Sequence, residues 1–150
     1  AVGTNTNYPV AERSTPAISF LDINTADTAA FIGLPAIGSK LAGRIVNFRN
    51  RLGGFYSIKQ VRETFALADS TFQKIKPYLR LADSTVRKFN VNIASADELK
   101  THPYIKRQIA NAIVAYRQEH GAFTKIEDIR KIMAVTTDDF NKISRYIEVQ

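Results

Sequence analysis

The chain contains no cysteine, which excludes disulfide bridges, thiolate metal sites and cysteine nucleophiles at once. Histidine is nearly as scarce. Only His102 and His120 occur, neither with a carboxylate at ligand spacing, so both read as surface or capping residues and no metal site is expected. Long apolar runs are missing too, each being broken by Gly, Pro or charge before the roughly 18 residues that a membrane-spanning helix needs. Glycine-rich phosphate loops of the G-x-G-x-x-G and G-x-x-x-x-G-K-[ST] types are absent. The acidic residues are scattered or paired locally, as Glu127-Asp128 and Asp138-Asp139, where compensation of a helix dipole accounts for them. With no nuclease-like carboxylate cluster, neither enzymatic activity nor a small-molecule substrate is expected. The opening AVGTNTNYPVAERSTPA has no charged n-region or apolar h-region, so a targeting signal is expected to have been removed or never included.

What the chain does have is a surplus of positive charge. Its 21 Lys and Arg against 14 Asp and Glu leave a formal +7 over 150 residues, a balance that favours an anionic partner. It also has an internal repeat. Ile23-Asn24 returns as Val91-Asn92, Pro35 as Pro103, Arg49 as Arg117 and Tyr78 as Tyr146, always 68 residues later and without a gap. Residues 22–79 and 90–147 are therefore read as two copies of one unit. Residues 1–21, rich in Thr, Asn, Pro and Ala without period, read as a flexible N-terminal arm, and 80–89 as a linker. A unit this small lies near the lower limit for folding alone, so the copies are expected to pack together.

Apolar residues recur at spacings of three and four, which predicts an all-α fold with four short helices per unit: roughly 25–33, 39–52, 57–65 and 69–79, with equivalents 68 residues on. Strands are not expected. Ser95 with Glu98, and Thr124 with Glu127, have the spacing of capping boxes. Gly53-Gly54 and Gly121 are placed to stop the longest helix of each copy in a left-handed conformation.

The stretch Leu34-Pro35-Ala36-Ile37-Gly38 joins the first two helices through a turn too short for a side-chain cavity, so its backbone is the expected instrument. Pro35 fixes φ at the entrance, Ile37 plugs the gap between helices, and Gly38 is expected in a conformation closed to residues with a Cβ. The helix that follows starts with unpaired N–H groups and the positive end of its dipole, a natural partner for a phosphate oxygen. On that helix, 100° per residue puts Lys40, Arg44 and Arg51 within roughly 40° of one another. Leu41, Ile45, Phe48 and Leu52 cluster about 90° away as the buried stripe, leaving the cations free.

These residues resemble a known family. The pattern LPAIGSKLAGRI-x-x-FR-x-x-x-GGF, preceded by N-x-A and followed to residue 79, is similar to the helix-hairpin-helix repeat of the bacterial competence protein ComEA and its relatives. The resemblance implies two tandem (HhH)2-type units, similar in fold to SAM and RuvA domain 2 modules. It also implies a double-stranded DNA-binding function in DNA uptake, without sequence preference, in an extracytoplasmic, periplasmic or membrane-tethered setting. Carried over by position, backbone amides at Gly38 and Lys40 would bind phosphate, with Ser39 and Ala36 also among the DNA-binding residues, and carbonyls of hairpin 34–38 could coordinate a monovalent cation; no other cofactor is implied.

Two departures qualify this. The family's first hairpin glycine is Ala36 here, tolerated if φ stays negative. In the second copy the hairpin reads His102-Pro103-Tyr104-Ile105-Lys106-Arg107, without glycine, and the equivalents of Lys40, Arg44 and Arg51 are Gln108, Ala112 and Glu119. Charge follows suit: eight Lys and Arg less four Asp and Glu give +4 for residues 22–79, whereas nine less seven give +2 for 90–147. Copy one is expected to be the better DNA binder, with Lys106 and Arg107 as lesser phosphate contacts. The second hairpin of each unit, Phe65-Ala66-Leu67-Ala68-Asp69 and Met133-Ala134-Val135-Thr136-Thr137, lacks glycine and is expected to keep helix packing through Leu67 and Val135 without an anion site. The aromatic residues fit a core better than base-stacking platforms, Tyr104 at a hairpin tip excepted. Loss of hairpin glycines motivates an alternative: a protein-docking scaffold, within an uptake or type II secretion-like apparatus or toward a second copy of the chain.

Overall fold

The computed structural model describes residues 19–150. The expected arm lies outside the described residues as far as residue 18, and Leu21 already belongs to the fold. Unit 1 runs β1 (Leu21–Asp22), α1 (Thr28–Ile32), α2 (Ser39–Leu52), a 3-10 helix (Ile58–Glu63), α3 (Asp69–Ile75), a 3-10 turn (Lys76–Tyr78) and β2 (Leu79–Arg80). Unit 2 repeats it as β3 (Phe89–Asn90), α4 (Ala96–Leu99), α5 (Arg107–His120), a 3-10 helix (Ile126–Lys131), α6 (Thr137–Ile143), a 3-10 turn (Ser144–Tyr146) and β4 (Ile147–Glu148).

The fold is mostly helical, with two corrections to the sequence reading. Each unit is closed by a short parallel ladder, Leu21 beside Leu79 and Phe89 beside Ile147, where no strand was expected. Two residues leave no periodicity to detect, yet the ladder ties the two ends of a unit together, with Ile23 N–H donating to Arg80 O at 3.0 Å and Val91 N–H to Glu148 O at 3.1 Å. The third helix is 3-10 rather than α, because six residues between the Ser57 cap and the turn at Thr64 fit two tight turns that bury Gln60 and Val61.

Helix ends follow their residues. Gly53 stops α2 in the expected left-handed conformation, at φ 87° and ψ 20°, whereas Gly121 stops α5 at φ 86° with an extended ψ of −175°, a conformation outside the left-handed helical region expected of it. The Ser95–Glu98 capping box forms as expected. The Thr124–Glu127 box does not. Its acceptor is Asp128, whose carboxylate takes the Thr124 N–H and hydroxyl, each at 3.1 Å, and the Lys125 N–H at 3.3 Å; these bonds, that of the Thr124 N–H first, hold its pKa down at about 2.

The residue pairs that mark the repeat build one polar clamp in each copy. Asn24 accepts from Phe55 N–H at 2.7 Å and donates to Phe55 O at 2.8 Å, while Arg49 Nη1 donates to the carbonyls of Ile23, at 3.1 Å, and Ala26. Asn92 holds Phe123 the same way, and Arg117 holds Val91 and Ala94. Around the clamp of unit 1 lie Ile23, Phe31, Ile45, Phe55 and Phe72, all buried.

The two units dock through polar aromatic residues. Tyr146 of unit 2 is completely buried in the core of unit 1, where it donates to Gly54 O at 2.7 Å and accepts from Gln60 Nε2 at 2.9 Å. Gln60 also donates to the Tyr104 hydroxyl at 3.0 Å, and that hydroxyl donates to Glu63 at 2.8 Å. The linker is part of the fold: Val86 is buried and Arg87 N–H donates to Gly53 O at 2.9 Å.

Candidate nucleic-acid interface

Hairpin 34–38 is a β-turn closed by Ile37 N–H on Leu34 O at 3.4 Å. Leu34 and Ile37 are buried and anchor it, whereas Pro35, Ala36 and Gly38 are exposed. Ala36 sits at φ 64°, in the left-handed region. This corrects the expected negative φ. With Pro at its second position and positive φ at its third, the turn has the type II form that favours glycine at that third place, and alanine endures it because buried neighbours fix both ends. Gly38 is corrected in the opposite sense: its φ of −96° and ψ of −175° are open to any residue. A Cβ built on Gly38 would meet nothing within 4 Å among the described residues. None of them therefore requires glycine here, and its missing Cβ leaves open space beside the start of α2.

That helix start is chemically unfinished. Gly38 offers no side-chain cap, and the N–H groups of Ser39, Lys40 and Leu41 find no acceptor among the described residues. Lys40 is exposed here, and Arg44 follows one turn later, half-buried with its guanidinium 5.3 Å from the centre of the Phe65 ring. Arg51 is exposed on the same face but about 17 Å from Lys40 along the axis at 1.5 Å per residue, near His102 of the docked unit 2. Among the described residues no carboxylate lies within ion-pair distance of Lys40, Arg44 or Arg51.

Unit 2 presents a different surface. The turn 102–105 is docked on unit 1: His102, 2% exposed, donates from Nε2 to Leu52 O at 2.9 Å and accepts the Tyr104 N–H on Nδ1 at 3.1 Å. His102 is thus a buried interface residue, not the surface or capping residue expected. Burial, with the Leu52 carbonyl opposing it in part, lowers its pKa to about 4. Tyr104 is no stacking platform; burial raises the pKa of its hydroxyl strongly, and that of Tyr146 likewise. Lys106 and Arg107 remain exposed at the uncapped start of α5. At α6 the start is closed, the Thr136 hydroxyl accepting from Asp139 N–H at 3.0 Å and the Asp139 carboxylate from Thr136 N–H at 3.1 Å. The docking residues left a signal in the sequence: where unit 1 has Leu34 and Ala36, unit 2 has the hydrogen-bonding rings His102 and Tyr104. Asymmetry between copies is what contact between copies produces.

The second hairpin of unit 1 is also more than expected. Thr64, Phe65, Ala66 and Leu67 form the same kind of turn as 34–37, closed by Leu67 N–H on Thr64 O at 3.1 Å, with Ala66 at φ 65°. Leu67 is buried, as is Val135 in unit 2, so the packing role expected of both is met. Elsewhere, an open polar groove between α2 and the linker is lined by Asn24, Arg49, Asp83 and Arg87, most of whose polar groups already bond to the chain. No group of three or more His, Asp or Glu able to hold a metal occurs among the described residues, and no described helix is long and apolar enough to cross a membrane.

Comparison with known proteins bears on the family of the fold. The family described as a helix-hairpin-helix motif matches twice, over residues 17–80 and 84–148. ComE operon protein 1 of Bacillus subtilis is 39% identical over 61 residues, covering 41% of this chain and 30% of its own length. Endonuclease/exonuclease/phosphatase family domain-containing protein 1 is 24% identical over 151 residues in Xenopus laevis and 26% over 148 in Danio rerio, covering 87% of this chain and 27% of theirs. The chain thus spans about a quarter of the length of those relatives. No solved structure matches. With two hairpins of the same build in unit 1, their counterparts 68 residues on, and a family match over each copy, the chain belongs to the helix-hairpin-helix family as two tandem units of the ComEA-like kind.

Proposed function

We propose that this chain is a non-enzymatic module that binds double-stranded DNA through its phosphate backbone, with unit 1 as the gripping unit. The observation that carries the reading is the open start of α2 among the described residues: amides after Gly38 that find no acceptor there, a vacant Cβ position, and Lys40 and Arg44 without acidic partners. Ala36 contributes by shaping the turn, and Arg51 by extending positive charge along the strand. Lys106 and Arg107 add flanking charge without a hairpin grip, since the turn before them is engaged with unit 1. Backbone amides and phosphate-directed cations read no bases, so unrelated duplexes bind alike. The family match and the likeness to ComE operon protein 1 support this reading. A role in DNA uptake, in an extracytoplasmic setting, rests on the resemblance to the competence family alone.

The test is a salt titration of duplex affinity. Lys40→Glu combined with Arg44→Glu weakens binding at least tenfold and flattens the slope of log K against log salt by about 2, at roughly 0.9 per phosphate contact. An unchanged slope would show that the site lies elsewhere. A second reading has one specific observation in its favour. A hairpin without glycine, residues 102–105, is used here as a protein-docking surface, its partner being the same chain. If recovery of protein from a cell extract at moderate salt exceeded recovery of DNA, the scaffold reading would take precedence. Pairing of copies in an array would raise the avidity of a weak single grip.

A further inference from the structure

Phe65 stands 77% exposed at the tip of the second hairpin of unit 1, outside the apolar core. A lone exposed phenylalanine is ordinary in itself. Its setting is not. The turn beneath it is held by the buried Leu67 and repeats the geometry of hairpin 34–38, with Phe65 at the position of Pro35 and Ala66 at that of Ala36. The ring is therefore mounted on a fixed support. The Arg44 guanidinium lies 5.3 Å from its centre, so the ring is continuous with the phosphate-directed cations of α2. The two acids of this hairpin are both engaged, Glu63 with the Tyr104 hydroxyl at 2.8 Å and Asp69 with Arg62 at 3.2 Å. What remains facing solvent is a flat aromatic face beside a cation that has no acidic partner among the described residues. A nucleic-acid strand presents that complement at every nucleotide, a flat base next to a phosphate.

We propose that Phe65 is a stacking wedge, its ring engaging a base at an opened or kinked step of the duplex held by hairpin 34–38 while Arg44 takes the adjacent phosphate. This rests on the duplex-binding reading above and adds a substrate class to it: duplexes already unstacked at one step, such as those with a one-nucleotide gap. An intact duplex must be opened before the ring enters, so it binds less tightly than the gapped one. Unit 2 supplies an internal control. Met133 occupies the equivalent tip and is 99% exposed, but the position of Arg44 is Ala112 there and the following helix start is closed by Thr136.

The chain has no tryptophan, so Phe65→Trp introduces a single indole at an exposed site that does not disturb the core. Its emission is read together with the anisotropy of a labelled duplex, intact or gapped, during titration. Binding of the gapped duplex quenches this indole strongly, the intact duplex quenches it less, and Met133→Trp is not quenched. Phe65→Ala binds the gapped duplex about 5- to 100-fold more weakly and loses the preference for the gap. Anisotropy that rises while the indole is unquenched and Phe65→Ala keeps full affinity overturns the wedge and leaves duplex binding standing. Anisotropy that never rises removes duplex binding and the wedge with it. Emission that shifts to the blue with protein concentration, without DNA, assigns the tip to a second copy of the chain and overturns the wedge too.

Discussion

At the residue scale, two neighbouring positions of one turn have opposite reasons for being small. Ala36 holds φ 64°, a conformation that costs an L-residue with a Cβ about 1–2 kcal/mol. Ala36→Gly relieves that strain but makes the unfolded chain freer, so a net gain of about 0.5–1 kcal/mol is expected in denaturant unfolding. Gly38 has an ordinary backbone and empty space at its Cβ position. Gly38→Ala therefore leaves stability unchanged within about 0.5 kcal/mol. It nevertheless weakens duplex binding, because the methyl group occupies the space that a phosphate would enter. Thermal melts and duplex titrations on the two variants separate strain in the turn from access to it. Equal losses of stability in both would contradict this division.

At the scale of elements, the repeated pairs Asn24/Asn92 and Arg49/Arg117 serve the fold. Arg49 reaches across from α2 to two carbonyls at the entrance of α1, and Asn24 pairs with the backbone of Phe55 as a strand would. Burial lowers the pKa of the Arg49 guanidinium, with Asp22 partly opposing it, as suits a cation spent on internal carbonyls. Arg49→Ala should cost about 2–3 kcal/mol in urea unfolding through the lost charge-assisted bonds, and should leave the salt slope of duplex binding unaltered. Helix starts divide the units at the second hairpin. α3 begins without a side-chain cap, whereas its counterpart α6 is closed by Thr136 and Asp139. Thr136→Ala costs about 1 kcal/mol in the same assay and does not change affinity for DNA. If it strengthened duplex binding, the cap would be masking a phosphate site in unit 2.

At the scale of the whole molecule, the contact between units is a polar network around His102. Its imidazole is neutral, with Nε2–H on Leu52 O and Nδ1 taking the Tyr104 N–H; Tyr146, Tyr104 and Phe89 rings surround it, and Arg51 and Arg87 face it. Protonation would set a second donor against the Tyr104 N–H and a third positive charge beside two arginines. Its pKa falls from the ordinary 6.5 to about 4, so the unfolded chain takes up the proton first as pH drops. The stability it confers is complete above about pH 6.5, declines between there and about pH 4 by up to about 3 kcal/mol, and changes no further below. Urea unfolding at pH 7.5 and 4.5 should show this decline, and His102→Gln should lack it. A wild-type slope retained in that variant would place the titrating group elsewhere. The sequence by itself determined the two units, the long helices α2 and α5, the glycine stops and the cationic face with its hairpin, because all of these arise from spacing within one short stretch of chain. Only the tertiary structure decided the sign of φ at Ala36, the two parallel ladders, the exposure of Phe65, and which hairpin stays open. Those depend on contacts between residues far apart in the chain, such as Gln60 with Tyr146, and local periodicity carries no record of them.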